Sequence, residues 1–440
     1  MIRAARITIL VILSVLLVAG SLFASGQQQE PGQAEVPTVK ITHWSHWVTN
    51  NKYYEPYWSE LAKTFNALHP EVNFSIDVVS IPYEGYEAKY SSAFEAKQGP
   101  GMFNGMAHVW AGQFDVAAPM PKDIADKLDS ILIGASRPYG VFGDQRYGIP
   151  VEGGNFMMMY INVDRFKEAG LDPNNPPKTY DQMLEYAKKL TVYDKNGNIV
   201  KPGYGIRYKG HPFGIADKVA PFFNAWGAEW YNWDEKTADG YLNSPASVAA
   251  LQFYAGMVQD SKVASVELDN PAAVFGQGLA GIIFRESWYS AWLSQNAPNI
   301  DFKVYPLPKE KMESGFGNNF PWSIMVNKDL NPTDKKWLWE FVRWYVNNAD
   351  VRKEHYVKSE MLPPFSDILD DPLFKSMPEF QAWKTMSEGR AAPTYYNPPA
   401  QEILVVIGEA TLSAMYGKQG AKAALDDATK KVDAILARYK

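Results

Sequence analysis

The sequence predicts an α/β fold divided into more than one lobe. Three observations carry this: a strand, a helix and a second strand follow one another over residues 38–79; capped helix starts alternate with strand-like runs to the C-terminus; and 440 residues exceed what one ordinary core organises. Residues 38–44, TVKITHW, alternate as a strand does. Residues 55–69 put Trp58, Leu61, Phe65 and Leu68 on one helical face, and His69-Pro70 stops that helix. Residues 72–79 alternate again through Phe74, Ile76 and Val78, completing a βαβ unit that favours a parallel sheet. Residues 147–190 read as a strand entering a polar turn, a Met-rich strand, a short helix stopped by Gly170, a proline brake at 176–177, and a helix opened by a Thr179–Gln182 capping box. Ser244-Pro245, Asn270-Pro271 and Asn331-Pro332 each place a capping residue before proline at a first helical position. Trp337, Trp339 and Trp344 fall within a helical pattern and read as packing. Leu425, Ala428, Val432 and Ile435 mark one face of a last helix.

The N-terminus carries Arg3 and Arg6, an apolar run over 7–18, and small residues Ala24 and Gly26 at the −3 and −1 positions of a cleavage after Gly26. This pattern predicts a secretory signal over 1–26, and 27–37, QQQEPGQAEVP, reads as a solvated tether. The expected location is periplasmic or extracellular. The chain has no cysteine, so lipid attachment through one is excluded; Ser21 stands about where a lipoprotein's acceptor cysteine would. Net charge is −6, and loss of 1–26 removes two arginines and no acid. A mildly acidic chain without basic clusters argues against nucleic acid as a partner.

Short motifs for chemistry fail on context. Residues 276–281, GQGLAG, match GxGxxG, yet a helix precedes and a strand follows, the reverse of a dinucleotide fingerprint. His43 and His46 are spaced by three on a strand, which does not bring them together as metal ligands. Residues 194–198, DKNGN, put Ile199 where a calcium loop needs glycine, and read as a hairpin turn. No cofactor and no metal is expected. Glu152 and Glu286 could be nominated as an acid/base pair, but a sequence does not give their separation.

Aromatic content is more informative: 14 Trp and 25 Tyr, many at expected strand ends or in loops. Trp44, His46 and Trp47 end the first strand; Trp110 lies in a Gly/Ala-rich loop; Trp226 stands beside Gly227; Trp288 follows the 281–284 strand; Trp322 follows a polar turn. A sugar ring, with apolar C–H faces and a belt of hydroxyls, needs such platforms beside carboxylate, amide and guanidinium groups. Glu152, Asn155, Arg285, Glu286 and Asn319 could supply these.

Four ordered segments carry a wider resemblance. They are 147–190; the helix over 244–259; 275–288, FGQGLAGIIFRESW; and 303–308, KVYPLP. The chain resembles the family 1 extracellular solute-binding proteins, the sugar-binding receptors of ABC importers. It departs from their pattern where Arg285-Glu286-Ser287 replaces a glycine-containing turn and where Asn318-Asn319 replaces glycines. The resemblance implies a periplasmic-binding-protein-like α/β fold, with two lobes joined by hinge strands and the ligand cleft between them. Crossovers are implied at 149–151, at 305–308 and near the end of the 332–347 helix. The N-terminal lobe would then be 38–150 plus 309–348, and the C-terminal lobe 151–308 plus 349–440. It also implies ligand contacts at Trp44, Trp47, Glu152, Trp288, Asn319 and Trp322, and at Tyr395 and Tyr396 in a late loop. The expected function is capture of a carbohydrate, an oligosaccharide by its aromatic abundance, by a monomer that docks on membrane permease subunits and is not an enzyme. The alternatives are a same-fold receptor for a glycerophosphodiester, polyamine or peptide, and a secreted glycan-cleaving enzyme.

Overall fold

The computed structural model describes residues 35–151, 153, 156–313, 322–389, 395 and 397–439. The expected signal, most of the tether, Glu152, Asn155, Asn319 and Tyr396 lie outside them. β1 (Thr38–Ser45) buries Val39, Ile41, His43 and Ser45 on alternate positions, as its sequence alternation requires. α1 (Tyr54–Leu68) lays Trp58, Leu61 and Phe65 on the sheet, each such burial contributing ~1.5–3 kcal/mol. Leu68, expected on that face, is 60% exposed, because it closes the helix's last turn. β2 (Asn73–Ser80) pairs with β1 in parallel from Thr38–Asn73 to Ser45–Ser80, completing the expected βαβ unit.

α2 (Tyr86–Glu95), β3 (Met102–Gly105), α3 (Lys122–Ile131), a small hairpin of β4 (Val141–Phe142) and β5 (Gln145–Arg146), and β6 (Gly148–Pro150) follow. The chain then leaves this sheet. β7 (Met157–Asn162) is buried at every position, so its run of Met157, Met158, Met159, Tyr160 and Ile161 forms the centre of a second sheet. Asn162 caps α4 (Val163–Glu168), accepting from the Arg165 N–H at 3.1 Å. Gly170 then takes φ +70°, which suits the expected glycine stop.

At α5 (Tyr180–Leu190) the Thr179 hydroxyl accepts from the Gln182 N–H at 3.1 Å. The return arm from Gln182 reaches the Lys178 N–H at 2.9 Å, one residue before the cap. The hairpin β8 (Val192–Tyr193) and β9 (Ile199–Lys201) turns through Asp194–Asn198 as read. α6 (Pro212–Trp226), α7 (Pro245–Gln259), α8 (Pro271–Gly276), β10 (Ile282–Glu286), α9 (Tyr289–Asn296) and β11 (Phe302–Tyr305) complete the central part. Ser244 and Asn270 cap α7 and α8 from just before their first-turn prolines, at 3.2 and 3.0 Å.

β12 (Ser323–Val326) returns to the first sheet, whose order is β2-β1-β3-β12-β6; the second is β10-β7-β11, antiparallel throughout. α10 (Pro332–Asn347), capped by Asn331, buries Trp337 and Trp339 and half-buries Trp344 against the core. The expected change of lobe at 348/349 is not where packing changes. α11 (Ala349–Ser359) lies on α1, with the Tyr57 hydroxyl donating to the Val351 carbonyl at 3.1 Å and His355 stacked on Tyr57 at 3.9 Å. The Ser366 N–H still bonds Ile131 at 2.7 Å. The cause is local: Asn348 ends α10 and caps α11, so the chain folds back on the same side. α12 (Pro372–Lys375) leads to α13 (Phe380–Glu388), which packs on β7 and β11. α14 (Ala400–Met415) and α15 (Ala421–Leu436) pack together and on α7, with Leu425, Ala428, Val432 and Ile435 inward.

Candidate functional site

Parallel pairing brings the carboxyl ends of β1, β2 and β3 to one edge, and loops leaving such an edge are free to hold ligand. His46 and Trp47 follow β1; Pro82, Tyr83 and Glu84 follow β2. β12 runs antiparallel to β3, so its N-terminal end reaches the same edge and Trp322 meets His46 with ring centroids 4.4 Å apart. From the second sheet, β10 ends in Arg285 and Glu286, and Trp288 and Tyr289 open α9. α6 adds Phe213, Gly214, Asp217 and Lys218. These groups enclose a cavity of about 440 Å³ with residues of both sheets in its wall, within the usual range of small-ligand sites. Trp47 and Trp288 meet edge to face across it at 6.0 Å.

α6 is apolar on every side and buried, so its two charged residues have to be matched. The Lys218 ammonium bonds the carboxylates of both Asp217 and Glu286, and Arg285 Nε stands 3.3 Å from Glu286 Oε2. Burial pushes the Glu286 carboxyl up, but the Arg285 and Lys218 charges outweigh it and hold it well below the usual carboxylate range. At Asp217 burial prevails, aided by the Glu286 charge, and its pKa rises to about 6. Arg285 also lies over the rings of Trp288 and Tyr289, at 4.9 and 5.2 Å. Burial lowers His46 to about 3, so it presents a neutral ring.

Of the residues expected at the site and described, His46, Trp47, Arg285, Glu286, Trp288 and Trp322 come together here. Four others do not. Trp110 is fully buried among Tyr90, Phe94, Phe103 and Phe114, because the chain coils there into a π-helical turn instead of an open loop. Trp226 ends α6 and packs on Tyr180 and Phe253. Trp44 points to the opposite side of β1 from its neighbours, against Tyr90 and beneath Lys89. Tyr395 stacks on Trp230 at 5.3 Å and its hydroxyl accepts from the Trp230 N–H at 2.6 Å. Among the described residues, no group of His, Cys, Asp and Glu could hold a metal, and His43 instead bonds the Tyr54 hydroxyl at 3.0 Å.

Sequence reasoning missed Tyr83, Arg207, Phe213, Asp217, Lys218 and Trp292, which also line the cavity. One signal was present: an Asp-Lys pair in the otherwise apolar run 212–226 has to be paired or face a ligand.

Two sheet-centred α/β lobes with an aromatic, charged cleft between them define a two-lobed binding protein. The chain matches the family model described as bacterial extracellular solute-binding protein over residues 60–382, and it belongs to that family. It is 24% identical over 421 residues to a maltotriose-binding protein of Pyrococcus abyssi, covering 92% of this chain and 82% of that one. It is 24% identical over 414 residues to an sn-glycerol-3-phosphate-binding periplasmic protein of Brucella melitensis, covering 86% and 89%. A maltose/maltodextrin-binding domain from Bdellovibrio bacteriovorus, bound to maltotriose, superposes with a TM-score of 0.76 at 18% identity over 91% of this chain and all of that one. That likeness fixes the fold, with two lobes and the cleft between. Among the described residues no helix is long and apolar enough to cross a membrane.

Proposed function

We propose that this protein captures a saccharide, an oligosaccharide by the number of its ring platforms, and presents it unchanged to the permease subunits of an ABC importer in the cell envelope. The observation that carries the reading is the cavity wall itself: Trp47 and Trp322 from one lobe and Trp288 from the other line it, with Arg285, Glu286 and Lys218 among them. Ring faces take the apolar side of a sugar, and the fixed charges take its hydroxyls. Ligand bridging both walls favours the closed arrangement, because only there are both sets of contacts made. The carboxylates of Asp217 and Glu286 are both held by Lys218, an arrangement suited to fixed hydrogen bonding more than to proton transfer. The names of the maltotriose-binding relatives support the same class of ligand.

Calorimetry of the purified chain with maltose, maltotriose and longer maltodextrins tests this. Binding of one saccharide per chain, recovered at its original length, is expected. Shortened products would replace capture with glycan cleavage, and binding of a peptide or polyamine in preference to every saccharide would replace the ligand class.

A further inference from the structure

Arg207 is the one cation of the cavity wall, among the described residues, for which no ion pair forms. It ends an extended segment that runs beside β10: Tyr204 bridges Ile282 in parallel, and the Gly205 N–H donates to the Ile282 carbonyl at 2.8 Å. That path delivers its guanidinium to the cavity on the side bearing Arg285. Its Nε is shut off from water and lacks an acceptor, a condition that costs free energy unless something else relieves it. The other two cations have ion pairs, Lys218 with Asp217 and Glu286 and Arg285 with Glu286, although Arg285 Nε likewise has no hydrogen-bond acceptor. Glu84, exposed at the rim, makes no ion pair with Arg207.

This guanidinium lies close against α6. A Cβ at Gly214, in the first turn of α6, would stand 2.7 Å from Nη2 and 2.8 Å from Cζ of Arg207. The glycine lets the guanidinium lie directly on the helix, where a larger residue would make it shift. A planar guanidinium with no ion pair is suited to a carboxylate or a phosphate ester, which such a fork can hold through two parallel bonds.

We infer that the captured saccharide carries an oxyanion, a uronate carboxylate or a phosphate ester, which Arg207 binds while the sugar rings lie on the tryptophans. The inference rests on the capture reading and names the ligand within it. The test is calorimetry of the full chain with two matched pairs: galactobiose against digalacturonate, and maltose against maltose 6′-phosphate. In one pair the charged member binds at least about tenfold more tightly than its neutral partner, as a charge-assisted bidentate contact provides. Which pair shows it tells carboxylate from phosphate. Arg207→Met brings that ratio to about one and Arg207→Lys restores part of it, with circular dichroism showing that both variants fold. Neutral members binding as tightly as charged ones in both pairs, a ratio indifferent to Arg207→Met, or inorganic phosphate binding as tightly as the charged sugar would each overturn the inference while leaving saccharide capture intact. No binding by any of the four sugars, nor by maltotriose, would instead overturn the capture reading, and this inference with it.

Discussion

Lys218 stands between two buried carboxylates, and its removal exposes the balance of the site. Lys218→Met leaves Asp217 without a cation and Glu286 with Arg285 alone. Breaking a buried pair in this way costs ~3–5 kcal/mol, so the urea midpoint at pH 7.5 falls sharply; an unchanged midpoint would show that the lysine is not holding them. Trp288 and Trp110 give opposite expectations. Trp288 is half-buried on the cavity wall, so Trp288→Ala weakens saccharide binding by about tenfold or more, as loss of a central aromatic anchor does. The unfolding midpoint should change little. Trp110 is buried in aromatic packing, so Trp110→Ala costs ~3–5 kcal/mol of stability and leaves calorimetric affinity of the folded protein near that of the parent chain. The reverse pattern would exchange their roles.

At the scale of elements, α13 is entered through Glu379, a carboxyl buried behind β7 near Tyr160 and Ser290. Burial pushes its pKa up to about 7, and its own backbone N–H and the Ser290 hydroxyl offset only part of that. Between the ordinary carboxylate value and 7 the folded chain holds this proton and the unfolded chain does not. The stability it contributes is therefore full below about pH 4.5 and lost as pH rises through 7. Glu379→Gln should raise the melting temperature at pH 8 relative to the parent chain, with the advantage gone at pH 5; an advantage independent of pH would assign it to packing alone. The elements were legible where local chemistry dictates them. The βαβ unit follows from alternation and a proline stop, and α7, α8 and α10 from caps before proline. Trp110, Trp226 and Tyr395 were not legible as core, because an aromatic beside glycines or in a late loop has the same local pattern whether it lines a cleft or fills a core. Arg207 and Lys218 were missed because cavity walls assemble from distant segments, and no short spacing joins 207, 218 and 286.

At the scale of the whole molecule, the two sides of the cleft touch through polar and aromatic contacts, among them Gln401 to Glu87 and Tyr83 to Phe213. The Lys52 N–H donates to Gln295 Oε1 at 3.2 Å, and the Trp47 and Trp288 edges meet at 6.0 Å. Ligand that bridges both walls adds contacts that only the closed arrangement makes. Small-angle scattering should accordingly show a smaller radius of gyration with saccharide than without; an unchanged radius would mean that capture needs no lobe movement. The central claim, that the cleft takes up a saccharide and returns it intact, is tested most directly by native mass spectrometry of the purified chain, before and after incubation with a mixed oligosaccharide pool. The account predicts a single noncovalent mass increment that fits a saccharide, released unaltered on denaturation and lost in Trp288→Ala. An increment that fits no saccharide, no increment from the pool, or shortened glycans in solution would contradict it.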